Sequence, residues 1–315
     1  MRISKELEAK ILASAKKEGY RANPIAVSLR TGKSKVIGVL VENISGSFFG
    51  ALSRVIEQKA HQAGYRLIYA DTENDNEKAV EMLQMLDLQQ VDGFLITPTP
   101  GIKSTIEDIV GKKPVVFIDS YYPDQKAPYV LVDNFEGVSK AIQHLVQHRY
   151  KKIGYVSVSL ELAQIKDRLA AYKQTLAHNG MRVEKKRILQ LPFNASRDEL
   201  IKLVTRFLEQ NTDMDAVFFA ANYLGVIGLK AIKKLGLRIP EDLAIVCFDD
   251  HEVFDLYTPG ITVVEQPTKK IAEQAIAILL KQLEGKAKER NGKFLLPPKL
   301  IVRGSAKTVR QKQAI

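Results

Sequence analysis

One cysteine, Cys247, in 315 residues leaves no internal disulfide to form, and with only five scattered histidines it cannot complete a structural zinc site. No apolar run approaches the ~18 residues that a membrane helix needs, so no transmembrane segment and no membrane partner are expected. The first turns carry Lys5, Glu6, Glu8, Lys10, Lys16, Lys17 and Glu18 with no apolar stretch among them, which argues against a secretory signal and for a cytoplasmic protein. Catalytic motifs are equally scarce. Gly32-Lys33-Ser34 resembles the end of a phosphate-binding loop, but Val27 stands where its first glycine belongs, and a strand follows instead of a helix. His144 and His148 have the spacing of two metal ligands on one helix, yet Leu145 replaces the glutamate that a zinc hydrolase would use. Gly46-Ser47-Phe48-Phe49-Gly50 lacks the spacing of a serine nucleophile elbow. An enzyme, a metal and a cofactor are therefore not expected.

What is present is the composition of an ordinary globular protein, 45% hydrophobic and 26% charged, long enough for about two domains. The net charge is +11 and is unevenly placed. Residues 1–35 hold nine basic side chains (Arg2, Lys5, Lys10, Lys16, Lys17, Arg21, Arg30, Lys33, Lys35) against three acidic ones (Glu6, Glu8, Glu18). Such an arm suits either a phosphate backbone or a solvated helical face.

From Val36 onward short apolar runs alternate with helical patterns. Val36 to Asn43, Tyr65 to Asp71, Gly93 to Thr97, Val115 to Asp119 and Tyr129 to Asp133 read as strands. They are rich in Val, Ile and Leu without clean alternation, as expected of parallel strands covered on both faces. The rhythm restarts with a helix over Glu136 to His148. The strands Ile153 to Val158, Ile188 to Leu191, Ala216 to Ala220 and Leu243 to Phe248 follow, with helices between them. Two such blocks predict two doubly wound α/β lobes with a cleft at the carboxyl ends of their strands. Ile261 to Glu265, a helix over Thr268 to Leu283 and an extended segment Phe294 to Arg303 complete the chain by crossing back. Before these lobes, Ser4 can cap a helix with Leu7, Ile11, Leu12 and Ala15 on one face, ended by Gly19. Ile25 to Arg30, between Pro24 and Gly32, makes a second helix, too short to be stable in water unless docked.

Aspartates at strand ends, Asp119, Asp133 and Asp249, could act as acid or base, but carboxylates there also accept hydrogen bonds from sugar hydroxyls, and binding is the simpler reading. Phe48 and Phe49 can belong to the core or cover a ligand. Arg168 is either a solvated side chain or a bidentate clamp.

A series of motifs stands in order: Gly19-Tyr20-Arg21, Asn23-Pro24 and Ser28-Leu29-Arg30-Thr31-Gly32; Val36-Ile37-Gly38-Val39 with Phe48-Phe49; Asp133-Asn134, Gly137, His144-Leu145 and Ile153-Gly154-Tyr155; Pro240-Glu241-Asp242-Leu243, Phe248-Asp249-Asp250, Gln266-Pro267 and Leu300-Ile301-Val302-Arg303-Gly304-Ser305. The resemblance that this series carries is to the lactose and purine repressor family of bacterial transcription regulators. It implies a homodimer with a periplasmic-binding-protein-like core and hinge helices that enter the minor groove of operator DNA. Leu29 would wedge between base steps, with Asn23, Arg30 and Lys33 on the DNA. It also implies that Arg168 and Asp249 grip a small-molecule effector, a sugar, sugar acid or sugar phosphate, with Phe48, Phe49, Ser120, Asp133 and Asn222 around it. The expected regulator represses carbohydrate metabolism; the alternative is a sugar-binding receptor without a DNA-reading function.

The resemblance divides the chain into a headpiece remnant (1–22), a hinge helix (23–34), a first lobe (35–133 with 263–292), a second lobe (134–262 with 293–307) and a basic tail (308–315). Cys247, Tyr223 and Leu162 depart from the family pattern of Gly before the Phe-Asp pair, Asp after Asn222 and a polar contact in the second lobe. The sequence also opens at what resembles the third headpiece helix, without the helix that reads base edges in the major groove. This is expected of a fragment or mis-started copy, or of a variant that senses an effector without sequence-specific recognition.

Overall fold

A computed structural model describes residues 4–20, 24–110, 113–286 and 292–307. The amino-terminal arm forms α1 (Lys5–Lys17) and α2 (Pro24–Thr31). Ser4 Oγ accepts from the Leu7 N–H, and Gly19 and Gly32 end the two helices with φ of 65° and 67°, values that glycine adopts without strain. Leu7 and Ile11, on the apolar face of α1, are about half exposed in the single chain.

The chain then runs through β1 (Val36–Val41), α3 (Ser47–Gln62), β2 (Arg66–Asp71), α4 (Asn76–Leu88), β3 (Gly93–Ile96), α5 (Lys103–Val110), β4 (Val115–Ile118) and β5 (Tyr129–Val132). A second series follows: α6 (Asn134–Gln147), β6 (Ile153–Val158), α7 (Ala163–His178), β7 (Ile188–Leu191), α8 (Arg197–Gln210), β8 (Ala216–Phe219), α9 (Asn222–Leu235), β9 (Ala244–Phe248), α10 (Glu252–Leu256) and β10 (Thr262–Glu265). The last elements are α11 (Thr268–Leu283), β11 (Lys293–Leu296) and β12 (Lys299–Ile301).

The two sheets repeat one topology, β11-β5-β4-β3-β1-β2 and β12-β10-β9-β8-β6-β7. Among the described residues all strand pairings are parallel except β10 with β12. β3, β5, β6, β8 and β9 are buried along their whole length, because helices cover both faces of each sheet. One apolar cluster runs through both lobes, joining Ile37, Leu52 and Ile276 of the first to Tyr155, Phe218 and Phe248 of the second. Separate clusters fill the outer face of each sheet.

The chain crosses between lobes three times, and the last two crossings lie elsewhere than expected. β10 pairs with β9 through Val264 and with β12 through Glu265, so the second crossing comes after Glu265 instead of at 262. β11 pairs with β5, which places 293–296 in the first lobe and not the second. Pro297 and Pro298 separate β11 from β12; neither can donate to a ladder, and the extended segment changes sheets there. Residues 308–315 lie outside the described residues.

Ser305 anchors this return. Its Oγ donates to the Ile245 carbonyl at 2.6 Å and accepts from the Thr262 N–H at 2.8 Å, fully buried. Ser305→Ala strands both backbone groups without water. The expected loss is about 2 kcal/mol, read as a lower denaturant midpoint at unchanged slope.

Candidate ligand-binding cleft

The carboxyl ends of β1, β4, β6, β8 and β9 meet between the lobes around a cavity of about 300 Å³. Each lobe sends an aspartate into it. Asp119 follows β4 and Asp249 follows β9, and both adopt left-handed backbone angles, φ 63° and 69°. Non-glycine residues rarely occupy this region, and Asp is among those that tolerate it. Each carboxylate is held by a glutamine: Gln164 Nε2 donates to Asp119 at 3.2 Å and Gln266 Nε2 to Asp249 at 2.7 Å. The neighbouring Asp250 turns back instead into a bidentate pair with Arg303, at 3.0 and 2.7 Å.

Arg168, on α7, is the cation among these groups and is only 4% exposed. Its Nε donates to Asn134 Oδ1 and one Nη to the Ala220 carbonyl, both at 2.7 Å, and its guanidinium lies 3.7 Å from the centre of the Phe248 ring. The protein therefore uses part of the fork to fix its plane, leaving the other donors toward the cavity.

Glu42, directly after β1, adds a third carboxylate, pushed up to about 7 by burial and by the nearby Asp119. Burial, with Asp249 close by, raises Asp119 to about 6 against the opposing pull of Arg168. Asp249 is raised in the same way, again chiefly by burial. The cleft is a low-dielectric space with more negative groups than its one guanidinium offsets.

Five of the seven expected effector residues line the cavity: Phe48, Phe49, Arg168, Asn222 and Asp249. Phe49 is nearly all core, packing edge-on to Phe48, whose ring is the more accessible. Asn222 donates to Ser47 Oγ at 3.1 Å, which with Gln164–Asp119 makes two hydrogen bonds across the cleft. The other two residues face elsewhere. Ser120 is buried beside the cavity and does not line it; the strained turn presents Asp119 instead. Asp133 is absent from the lining because its carboxylate caps α6, accepting from the Glu136 N–H at 2.8 Å. Cys247 is fully buried against the Gly225 position of α9, away from the cavity, and burial pushes its thiol well up. Tyr223 and Leu162 both line the cavity. Glu42 and Gln164 were not identifiable from sequence, since a polar residue at a strand end or helix start carries no pattern of its own, and Gln266, though part of the Gln266-Pro267 motif, was not read as a cleft residue.

A shallower groove of about 700 Å³ lies along α6 and α7. His144 lines it and bonds through Nε2 with the Ala306 carbonyl, while His148, one turn on, bonds through Nδ1 with the His144 carbonyl. Among the described residues no group of three His, Cys, Asp or Glu side chains is placed to hold a metal ion, and no helix is long and apolar enough to cross a membrane.

The hinge meets the core at Ser34 and Lys35, where Asp92 accepts from both backbone N–H groups at 2.7 and 3.0 Å and from Ser34 Oγ at 2.8 Å. Lys33 reaches the Leu283 carbonyl at the end of α11 at 3.2 Å, and is thus engaged with the first lobe in this state. Leu29 is 83% exposed on α2 and Arg30 is exposed beside it. Asn23 lies outside the described residues.

The family model described as the periplasmic binding protein-like domain matches residues 142–306. The chain is 29% identical to the ribose operon repressor of Halalkalibacterium halodurans over 97% of this chain and 89% of the relative. It is 26% identical to the transcriptional repressor CytR of Escherichia coli over 98% and 90%. Its fold matches the transcription regulator CcpA of Lactococcus lactis at a TM-score of 0.77, with 24% identity over 86% of this chain and 99% of that one. Twin sheets with a cleft between them, a hinge segment ahead of the first and this run of relatives place the chain in the lactose and purine repressor family, whose members regulate transcription and are not enzymes.

Proposed function

We propose that the chain is a DNA-binding transcriptional repressor of carbohydrate metabolism, working as a homodimer under the control of a small-molecule effector bound in the interlobe cleft. The observation that carries this reading is the convergence of Arg168, Asp119 and Asp249 on one cavity whose walls belong to different lobes. A ligand there adds its own hydroxyl bonds to both lobes beside the Gln164–Asp119 and Asn222–Ser47 bonds, and so changes the relative free energy of open and closed lobes. Only a difference in affinity for the two states can shift them. Asp92 and Lys33 tie the hinge to the first lobe, so its movement repositions α2.

Paired α2 helices would order on the minor groove, Leu29 entering between base steps and Arg30 on phosphate, with Lys33 leaving Leu283 to reach the backbone. An apolar side chain with 83% of its surface in water gains most from such a site. The names of the relatives, a ribose operon repressor among them, support a sugar-related effector.

The test is fluorescence anisotropy with duplexes selected on the protein from a random library. Leu29→Ala is expected to weaken binding about tenfold with sugar binding unchanged. Affinity that depends on neither duplex sequence nor any sugar refutes the repressor and leaves a sugar receptor.

A further inference from the structure

We infer that the effector is a polyhydroxylated molecule carrying a protonated amine, which seats beside Asp119 between Glu42 and Asp249. The inference rests on the small-molecule reading of the cleft and narrows it. The argument is a census of donors and acceptors. Gln164 and Gln266 each give an amide N–H to Asp119 and Asp249, and their carbonyl oxygens are left over. Neither Gln164 Oε1 nor Gln266 Oε1 has a hydrogen-bond partner, although the residues are only 4% and 7% exposed and line the cavity. Three carboxylates add further acceptors. Against them stand the unused part of the Arg168 fork, the Asn43 amide, one further N–H on each glutamine and the hydroxyls of Ser47, Ser157 and Tyr223, none of which but the guanidinium is charged.

A ligand that satisfies this wall must donate. Sugar hydroxyls can do so, but an ammonium group offers three donors, no acceptor and a positive charge where the cleft is short of one. Carboxylates and phosphates bring only acceptors and more negative charge, so sugar acids and sugar phosphates are disfavoured. An inorganic ion does not meet the need, because the acidic groups among the described residues are not arranged to share one.

Charge linkage gives the inference a sign. Glu42 faces Asp71, Asp119 and Arg168, and Tyr223 feels its charge; Asp119 faces Asp249 and Arg168. Burial among these acids raises Glu42 to about 7 and Asp119 to about 6. A bound cation lowers both, so an amine must displace protons and bind more tightly as pH rises through this range. An anionic ligand shows the opposite trend.

The experiment is isothermal titration calorimetry of the full chain with D-glucose, D-galactose and D-mannose, each beside its amino sugar, aldonate and phosphate ester. At least one amino sugar is expected to bind about tenfold or more tighter than its parent sugar, with proton release and with affinity rising between about pH 5.5 and 7. Glu42→Gln is expected to collapse that preference. The inference is overturned if parent and amino sugars bind alike, if an aldonate or phosphate binds more tightly than its parent, if no amino sugar binds, or if the amine's affinity rises with acidity. Duplex affinity measured in parallel separates the two readings. A neutral sugar that binds and shifts it sinks only the amine subsite, whereas an amino sugar that binds without shifting it sinks only the regulator.

Discussion

Arg168→Ala is expected to lower affinity for any cleft ligand by about a hundredfold or more and also to destabilise the free protein. The first effect follows from losing the guanidinium donors that face the cavity, since truncating a buried, hydrogen-bonded charge costs roughly 2–5 kcal/mol of binding. The second follows from what else the side chain holds. Asn134 Oδ1 and the Ala220 carbonyl lose their donor, the Phe248 ring loses its cover, and Asp119 and Asp249 lose their counter-charge. Breaking such a buried network costs about 3 kcal/mol, a fall in Tm of roughly 6–12 °C. Treated as a surface clamp, Arg168 would leave the fold untouched when removed; its 4% exposure says otherwise. Arg168→Lys keeps a charge but cannot bond Asn134 and Ala220 in one plane, so it is expected to recover part of the Tm and little of the affinity. Calorimetry and thermal melts on the two variants check this. A wild-type Tm in Arg168→Ala would mean that the guanidinium carries none of the packing described.

How much of this was legible follows from where the information lies. Parallel strands buried on both faces write themselves as runs such as Val36 to Val41 and Ala244 to Phe248, and Gly236, at φ 68°, marks a helix end as glycine usually does. Those signals are local. The sheet change between β11 and β12 depends on which edge strand is nearest after Pro297 and Pro298, which periodicity does not encode. The site divides the same way. Asp249 stands inside an ordered motif, Arg168 followed from the resemblance as a whole, and the cavity contains both. Asp119 was legible as a strand-end carboxylate, whereas Ser120, implied by the resemblance, does not line the cavity; a positive φ at Asp119 turns the chain there, and nothing in Ile118-Asp119-Ser120 announces the turn. Asp133 sat at a strand end and equally at a helix start, and the cap claimed it. Gln164 became relevant only because the lobes bring α7 opposite β4, forty-five positions back along the chain.

The remaining large effect is on stability against pH. Glu42 titrates near 7 in the fold against 4.5 when free, and Asp119 near 6 against 3.8. A carboxyl group whose folded pKa lies above its unfolded value holds a proton that the unfolded chain has already released. The unfolded state then binds fewer protons, and stability falls as pH rises from about 4 to about 7. Above that window both states are ionised and the native state carries buried charge that Arg168 does not offset. The unliganded protein is thus expected to be about 3 kcal/mol more stable near pH 5 than near pH 8, with the coupled acids counted as one system. Below about pH 4 the curve turns over. Asp242, held down to about 2 by its bonds to Arg238, and Asp213, lowered by Arg187, then lose their stabilising charge. Denaturant melts across this range should trace that maximum. Glu42→Gln and Asp119→Asn should each flatten the upper limb and raise stability at pH 8, since each removes a buried negative charge while keeping the shape. An amine-bearing ligand should flatten it too, by supplying the missing cation. A stability that climbs steadily from pH 5 to pH 8 would mean that the cleft acids sit in water and that their enclosure between the lobes is not a property of the protein in solution.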